Sequence, residues 1–419
     1  MDRFKVFDEL ESNVRSYCRV FPTIFERAKG AELFDDQGRR FIDFFCGAGS
    51  VNYGHNPQAI TDALIEYLRG DGILHALDAH TAAKRDFLAD FRDVILAPRG
   101  LDHRVQTCGP TGTNAVEAAL KLARKATGRR LIVAFSGAYH GMSMGSISVT
   151  GNGKLRASAA VSLPDTAFIP FADGPAGPFD SIALLERMID DPSSGWELPA
   201  AVIVETVQMD GGVFVAPPEW LRRLREVTTR HGILLICDDI QVGCGRAGRF
   251  FSFEQAAIVP DLITLSKSIG GNGLPMALLL IRPAIDLWSP GEHTGTFRGN
   301  QLAFVAAHVA LDHWRDDRLQ VAIGEKSRWL EGHLQDRLVR WPNLRRRGIG
   351  MAHGIDFSAA GGGQAVARVQ RACFERGLII ESCGRHDEVL KLLPPLTIAP
   401  GMLEEGAEIL WLAIADVLD

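Results

Sequence analysis

The sequence predicts an α/β fold: a mostly parallel sheet of about seven strands covered by helices, with a smaller α+β part towards the C-terminus. Three observations predict it. Short apolar runs alternate with amphipathic helical patterns from about residue 55 to 310, the pattern of strands joined by crossover helices. Three of those runs end in an ionisable residue. A further short run leads through a Gly/Thr turn straight into a helix pattern.

In chain order, residues 1 to about 50 read as a helix followed by a hairpin. Gln37-Gly38 marks the turn between the runs 31–34 and 40–44. Residues 105–108 read as a strand, 109–113 as the turn Gly-Pro-Thr-Gly-Thr, and 114–126 as a helix. Strands follow at 131–135 and 200–204, a helix at 219–230, and strands at 234–237, 261–266 and 276–281. A helical stretch over 301–335 links to the smaller part, where Gly348-Ile349-Gly350 and Gly361-Gly362-Gly363 read as loops. The resulting division is a segment 1–55, a large domain 56–310 and a small domain 311–419.

Composition narrows the class. The 419 residues are 46% hydrophobic and 23% charged, ordinary for a folded globular chain. A net charge of −6 with no basic tract argues against nucleic acid or an anionic membrane as partner. The opening Met1-Asp2-Arg3-Phe4 lacks a signal-peptide core, and no apolar run is long enough to span a bilayer. Seven scattered cysteines without a Cys-x-x-Cys pair read as free thiols in a reducing cytoplasm, Cys46 and Cys237 as small core residues. No metal site is expected: the histidines lack ligand spacing, and His75 and His80 lack an acid partner pattern. Residues 135–137 do not form a serine-nucleophile elbow.

The ionisable strand ends carry the chemistry. Lys267 leaves an apolar strand for a Ser- and Gly-rich turn. A desolvated lysine there is either a Schiff-base amine or a lysine snorkelling from a strand end. Asp238, next to Asp239, ends a second strand, and Glu205 a third. In open α/β sheets ligands bind at this edge, although a lone acid at a strand tip is often a helix cap. The Thr111-Gly112-Thr113 turn offers backbone N–H groups and hydroxyls to an anion, or is simply a capped helix. Period-two alternation turns Asp239 away from the side that Asp238 faces.

Six segments in order carry a resemblance: Pro110-Thr111-Gly112-Thr113, Tyr139-His140-Gly141, Glu205-Thr206-Val207-Gln208, Asp238-Asp239-Ile240-Gln241, Ser266-Lys267 and Gly295-Thr296-Phe297-Arg298-Gly299-Asn300. Over nearly its whole length the chain resembles the class III, fold type I, pyridoxal-phosphate aminotransferases. Residues 15–19, 47–56, 109–117 and 296–299 resemble in particular the diaminobutyrate subgroup of ectoine synthesis. Two departures stand out. Met209-Asp210 replaces the usual Gly-Glu pair, and Lys391 stands where many members carry Arg.

The resemblance implies pyridoxal 5′-phosphate as cofactor, with Lys267 as its Schiff-base lysine and Asp238 as partner of its pyridine nitrogen. Gln241 is expected at the phenolic oxygen, Tyr139 on the ring face and His140 as the support of Tyr139. Thr111, Gly112 and Thr113 are expected at the phosphate, joined by Thr296 from a neighbouring subunit of a homodimer. The implied substrates are small amino acids and aldehydes or oxo-acids. Amino transfer from glutamate to a terminal aldehyde needs a cation that can be masked. Lys391 is assigned to it, with Glu205 as mask, and Arg298 or Arg19 as further carboxylate holders; the alternative is that Lys391 is an exposed strand residue. Three other readings stand beside this one: a different ω-aminotransferase acting on an ornithine-, lysine- or 4-aminobutyrate-like substrate, a decarboxylase, racemase or aminomutase of the same fold, and a non-catalytic cofactor-binding regulator, for which no appendage is evident.

Overall fold

The computed structural model describes residues 3–172, 174, 177 and 179–419. An antiparallel meander comes first: β1 (Phe25–Lys29), β2 (Glu32–Asp35) and β3 (Arg40–Asp43). The turn between β2 and β3 falls at Gln37-Gly38, as expected. Asp35 Oδ1 accepts from the backbone of Gln37 (3.1 Å) and Arg39 (2.8 Å), while Gly38 supplies a φ of +78°. β1 lies outside the expected hairpin, because its mostly exposed, charged pattern does not read as a strand.

Seven strands form the main sheet: β4 (Arg104–Thr107), β5 (Ile132–Phe135), β6 (Thr166–Ile169), β7 (Ala201–Val204) and, after the small hairpin β8 (Val207–Gln208) and β9 (Phe214–Val215), β10 (Leu234–Asp238), β11 (Leu262–Leu265) and β12 (Leu278–Ile281). Their order is β4-β12-β11-β10-β7-β5-β6, and β12 alone runs antiparallel to its neighbours. All residues of β5, β7, β11 and β12 are buried, so these strands show as plain apolar runs rather than alternating ones. The helix Gly112–Thr127 covers one face through Ala115, Ala119, Leu122 and Ala123.

Helices Gln301–Ala310 and Arg318–Leu338 lead to β13 (Arg345–Ile349), β14 (Ala352–Asp356), β15 (Leu378–Ile379), β16 (Glu381–Cys383) and β17 (Val389–Leu392). β13, β14, β17 and β16 make an antiparallel sheet, whereas β15 pairs in parallel with β3 of the N-terminal meander. Leu393 N–H also donates to Phe44 O (2.8 Å), so the two ends of the chain are hydrogen-bonded together. The glycine runs expected as loops are more ordered than that. Gly348 and Ile349 belong to β13, Gly350 makes the turn, and a helix starts at Gly362. Gly350 has a φ of +60°, and a Cβ there would stand 2.5 Å from Arg246 O.

That Arg246 is fully buried without a carboxylate partner. Its guanidinium donates to Met351 O (3.0 Å), Pro394 O (2.6 Å) and Asn52 Oδ1 (2.6 Å), joining the N-terminal, central and C-terminal stretches. Burial lowers its pKa. Hydrogen bonds from a charged donor contribute about 1.5–3 kcal/mol each, and their buried acceptors are costly to strand. Arg246→Ala is therefore expected to destabilise the fold by about 3 kcal/mol or more, read as a lower urea midpoint by tryptophan fluorescence.

Candidate active site

The C-terminal ends of β4, β5, β7, β10 and β11 lie along one edge of the main sheet, over a cavity of ≈ 350 Å³. Thr111, Gly112, Thr113, Tyr139, His140, Glu205, Asp238, Gln241 and Lys267 all line it, joined by Asp210 and Met142. Parallel strands send their last residues to the same side, which is why segments far apart in sequence converge here.

Lys267 follows β11 with a φ of +54°, a left-handed conformation that costs a non-glycine residue energy. Neighbouring bonds hold it there: Ser266 Oγ donates to Met276 O (2.8 Å) and Ser268 Oγ to Gly49 O (2.7 Å). Burial lowers the pKa of the amine, against the opposing pull of the Asp210 charge. A lowered pKa leaves more of the amine neutral and nucleophilic near neutral pH.

Asp238, at the end of β10, is held on both oxygens. Oδ2 lies 2.7 Å from His140 Nδ1, and Oδ1 accepts from Thr264 Oγ1 (3.0 Å) and Ile240 N–H (3.2 Å). His140 therefore positions Asp238, not Tyr139 as expected, because the ring of a buried histidine turns to the nearest carboxylate. Asp239 points to the opposite side, where Ser252 donates to it through both N–H and hydroxyl. Burial raises the Asp239 pKa to about 7.

The helix Gly112–Thr127 starts two residues before the expected Asn114. Asn114 Oδ1 accepts from the Thr111 N–H (3.3 Å) and hydroxyl (2.9 Å), closing the turn. A Cβ at Gly112 would come within 3.0 Å of Ile240 Cδ1, so glycine keeps the helix N-terminus bare beside the cavity. The Thr113 hydroxyl pairs with those of Ser143 (2.6 Å) and Ser146. Free N–H groups at the start of a long helix suit an anion. Tyr139 is half-buried at the wall, and Gln241 Nε2 donates to Ala48 O (2.8 Å).

Lys391 departs most from expectation. It is not an exposed strand residue: no part of its side chain is exposed, and Nζ lies 2.6 Å from Asp210 and 2.9 Å from Glu381. Burial alone would lower its pKa, but the two carboxylates raise it well above the usual value. Burial would raise the Asp210 pKa, yet Lys391 and then Lys267 hold it below the ordinary range. Tyr17 OH donates to Glu381 Oε1 (2.9 Å). Glu205 is not the partner of Lys391. Its Oε1 accepts from Tyr139 N–H (2.8 Å), and burial, then the Asp238 charge, raise its pKa well above normal.

Three expected residues lie outside the cavity of their own chain. Arg298 is tied to Asp78 (2.7 Å) and His293 O (2.6 Å), and exposed Arg19 donates to Asn13 O (3.2 Å). Exposed Thr296 has its carbonyl on His75 Nε2 (2.9 Å). Sequence reasoning missed Asp210, Glu381 and Tyr17. Asp210 and Lys391 had each been visible as a departure, and a joint departure was the available sign of contact.

The comparisons with known proteins agree with this geometry. The family model for class-III aminotransferases matches residues 14–414. A diaminobutyrate–2-oxoglutarate transaminase of Nocardia farcinica is 52% identical over 417 residues, covering 98% of this chain and 94% of that one. Its namesake in Wolinella succinogenes is also 52% identical, covering 99% and 96%. The solved pyridoxal-phosphate-bound amine transaminase of an uncultivated Pseudomonas species superposes with a TM-score of 0.85 at 26% identity, covering 97% of this chain and 98% of that one.

Two substitutions separate the adjacent acids. Asp238→Asn is expected to lower turnover about 10³-fold, the loss of a charge aimed at the reacting site, and Asp239→Asn less than about tenfold; steady-state rates with saturating substrates check both. Asp239 also has a stability signature. Its folded pKa lies above the unfolded value of about 3.9, so between pH about 4 and about 7 the folded chain binds a proton that the unfolded chain lacks. Its contribution must therefore fall as pH rises through that window. Urea midpoints against pH should show this slope in the wild type and its loss in Asp239→Asn.

Proposed function

The chain belongs to the class III aminotransferases, and we propose that it moves the amino group of L-glutamate to the terminal aldehyde of L-aspartate 4-semialdehyde, giving L-2,4-diaminobutyrate and 2-oxoglutarate. The observation that carries the reading is Lys391: a buried cation beside the cavity, clamped by two carboxylates. The names of the relatives at 52% identity support it. Ectoine synthesis is the pathway the resemblance suggests for the product.

Pyridoxal 5′-phosphate, the cofactor of the reaction, supplies the carbonyl that takes up the amino group and the electron sink that stabilises the deprotonated reacting carbon. The donor set fits it: a bare helix N-terminus at Gly112, a fixed carboxylate at Asp238 and a depressed lysine share one cavity. In our reading Asp238, oriented by His140, holds the proton on the ring nitrogen. Lys267 Nζ takes the proton from the reacting carbon of the substrate and returns one. Thr111, Gly112 and Thr113 hold the phosphate, Gln241 faces the phenolic oxygen and Tyr139 covers the ring.

Glutamate brings a carboxylate on its reacting carbon, whereas the aldehyde carbon of the acceptor carries none. A cation beside that carbon helps the first and is a stranded charge for the second. Asp210 is therefore assigned as the mask: it stays on Lys391 when the acceptor binds and yields to the glutamate α-carboxylate. Asp210 is bonded to Lys391, and its charge also acts on Lys267, which supports this placement.

We further propose a homodimer with composite sites, in which Thr296 reaches the partner's phosphate. Support comes from an exposed apolar patch around it: Phe297 is 71% exposed and Ile73, Leu74 and Leu77 are 53–56% exposed. The His75 ring, 5.5 Å from Phe297, ties the two loops together. The described cysteines are all free, which supports a reducing cytoplasm; among the described residues no helix is long and apolar enough to cross a membrane.

Purified holoenzyme given glutamate and aspartate 4-semialdehyde should form 2-oxoglutarate and 2,4-diaminobutyrate in equal amounts, and Lys267→Ala should keep phosphate-anchored cofactor but lose turnover. A higher kcat/KM for ornithine or 4-aminobutyrate than for 2,4-diaminobutyrate would refute the substrate assignment. Lys391→Ala should raise the glutamate KM by roughly tenfold or more while the aldehyde KM changes by less than about twofold.

A further inference from the structure

A second cavity of ≈ 710 Å³ adjoins the first and shares Tyr139 and Asp210 with it. Tyr17 and Glu381 stand on its wall, and the turn 384–387 forms its rim. Two of its lining residues are permanent cations, Lys154 and Arg385, and neither has a hydrogen bond or ion pair with any described residue. By contrast, Lys391 has two acids, and Arg19 and Arg298 are engaged elsewhere.

The substrates proposed above, on which this inference rests, share one feature. In glutamate the far carboxylate lies three bonds from the carbon that exchanges its amino group. In aspartate 4-semialdehyde, counted from the aldehyde carbon, the sole carboxylate also lies three bonds away. The same holds for 2-oxoglutarate and 2,4-diaminobutyrate. A single fixed cation can therefore serve both half-reactions at one distance, while Lys391 is needed in only one.

We propose that Arg385 is that anchor: a specificity-determining residue that binds the distal carboxylate of both substrates. Arg385 is exposed on the rim, and its backbone is held on both sides. Gly384 N–H donates to Asp210 O (3.0 Å), and His386 N–H donates to Glu388 Oε2 (2.7 Å). Arg385 Nη2 lies 3.7 Å from where a Cβ on Gly137 would stand, beside the turn that delivers Tyr139 to the cofactor cavity. Its fork matches a carboxylate with two parallel bonds, which the point charge of Lys154 cannot do. Met142 on the rim of the first cavity is apolar and 45% exposed, so that wall offers no competing charge.

The test uses holoenzyme and substrate pairs that differ only in the distal carboxylate: 2,4-diaminobutyrate against 1,3-diaminopropane, and glutamate against L-norvaline. Arg385→Ala should raise the KM of both carboxylate-bearing substrates by about tenfold to a hundredfold. It should leave kcat/KM for 1,3-diaminopropane and norvaline within about twofold, collapsing the discrimination in each pair. Arg385→Lys should restore part of it, and the dissociation constant of glutarate, which cannot react, should rise in parallel with the KM values. Unchanged KM values, an effect on only one of the two carboxylate substrates, or equal losses with and without the carboxylate would each overturn the proposal. Should the wild type not accept 2,4-diaminobutyrate at all, the substrate reading fails, while the glutamate–norvaline pair still decides whether Arg385 holds a carboxylate.

Discussion

A buried ammonium cannot stand without carboxylates, and the structure around the cavity follows from satisfying Lys391. Removing that charge from water costs several kcal/mol unless excellent partners compensate. The partners come from separate stretches of chain: Asp210 from the turn beyond β8, Glu381 from β16, and Tyr17 behind Glu381 from the N-terminal segment. β17 can carry Lys391 only if these stretches are brought together. The contact thus closes one side of the cavity while it neutralises the charge. Two acids thus surround one base, an arrangement that suits the masked cation proposed above.

The opposite wall obeys a different constraint. Parallel strands deliver the Glu205, Asp238 and Lys267 ends to one edge, and desolvation there acts in opposite directions on acids and amines. Glu205 is pushed towards its neutral form by burial and by the Asp238 charge, and Lys267 is pushed the same way by burial. Asp238 differs from Glu205 in having the ring of His140 and the hydroxyl of Thr264 as partners, where Glu205 meets backbone N–H groups. Two carboxylates at neighbouring strand tips thereby sit in different surroundings: Asp238 between His140, Thr264 and the Ile240 N–H, Glu205 against the Tyr139 backbone.

This difference explains what was legible in the sequence. Most of the main sheet was readable because β5, β7, β11 and β12 are buried throughout and show as apolar runs, and the residues at strand ends were readable because a charged residue ending such a run is conspicuous; β6, half-buried at the sheet edge, was not read. The helix at Gly112 and the Gln37-Gly38 turn were readable from local turn chemistry. What failed was pairing. Nothing local says that Lys391 meets Asp210 rather than Glu205, because the contact joins positions 181 apart in the chain. His140 was likewise placed beside its sequence neighbour Tyr139, although its partner Asp238 lies 98 residues away. Charged β1 and the glycines of β13 were missed for a related reason: pairing with a neighbouring strand, not residue preference, makes them strands.

The joint departure at Asp210 and Lys391 has a physical consequence of its own. The pair consists of a short acid and a base without a planar fork. An ammonium offers three donors that need not be coplanar, so Lys391 donates to Asp210 while it keeps Glu381 as an ion-pair partner at 2.9 Å. A guanidinium gripping one carboxylate in parallel bonds would give up more geometry to accommodate the second. The lysine is therefore the base that tolerates a permanent second acid, and Glu381, braced by Tyr17, is the acid that stays. Of the two acids Asp210 is the more exposed, at 36% of its side chain against 11% for Glu381. The more exposed carboxylate has the more room to swing off the lysine, which is what the proposed masking asks of Asp210.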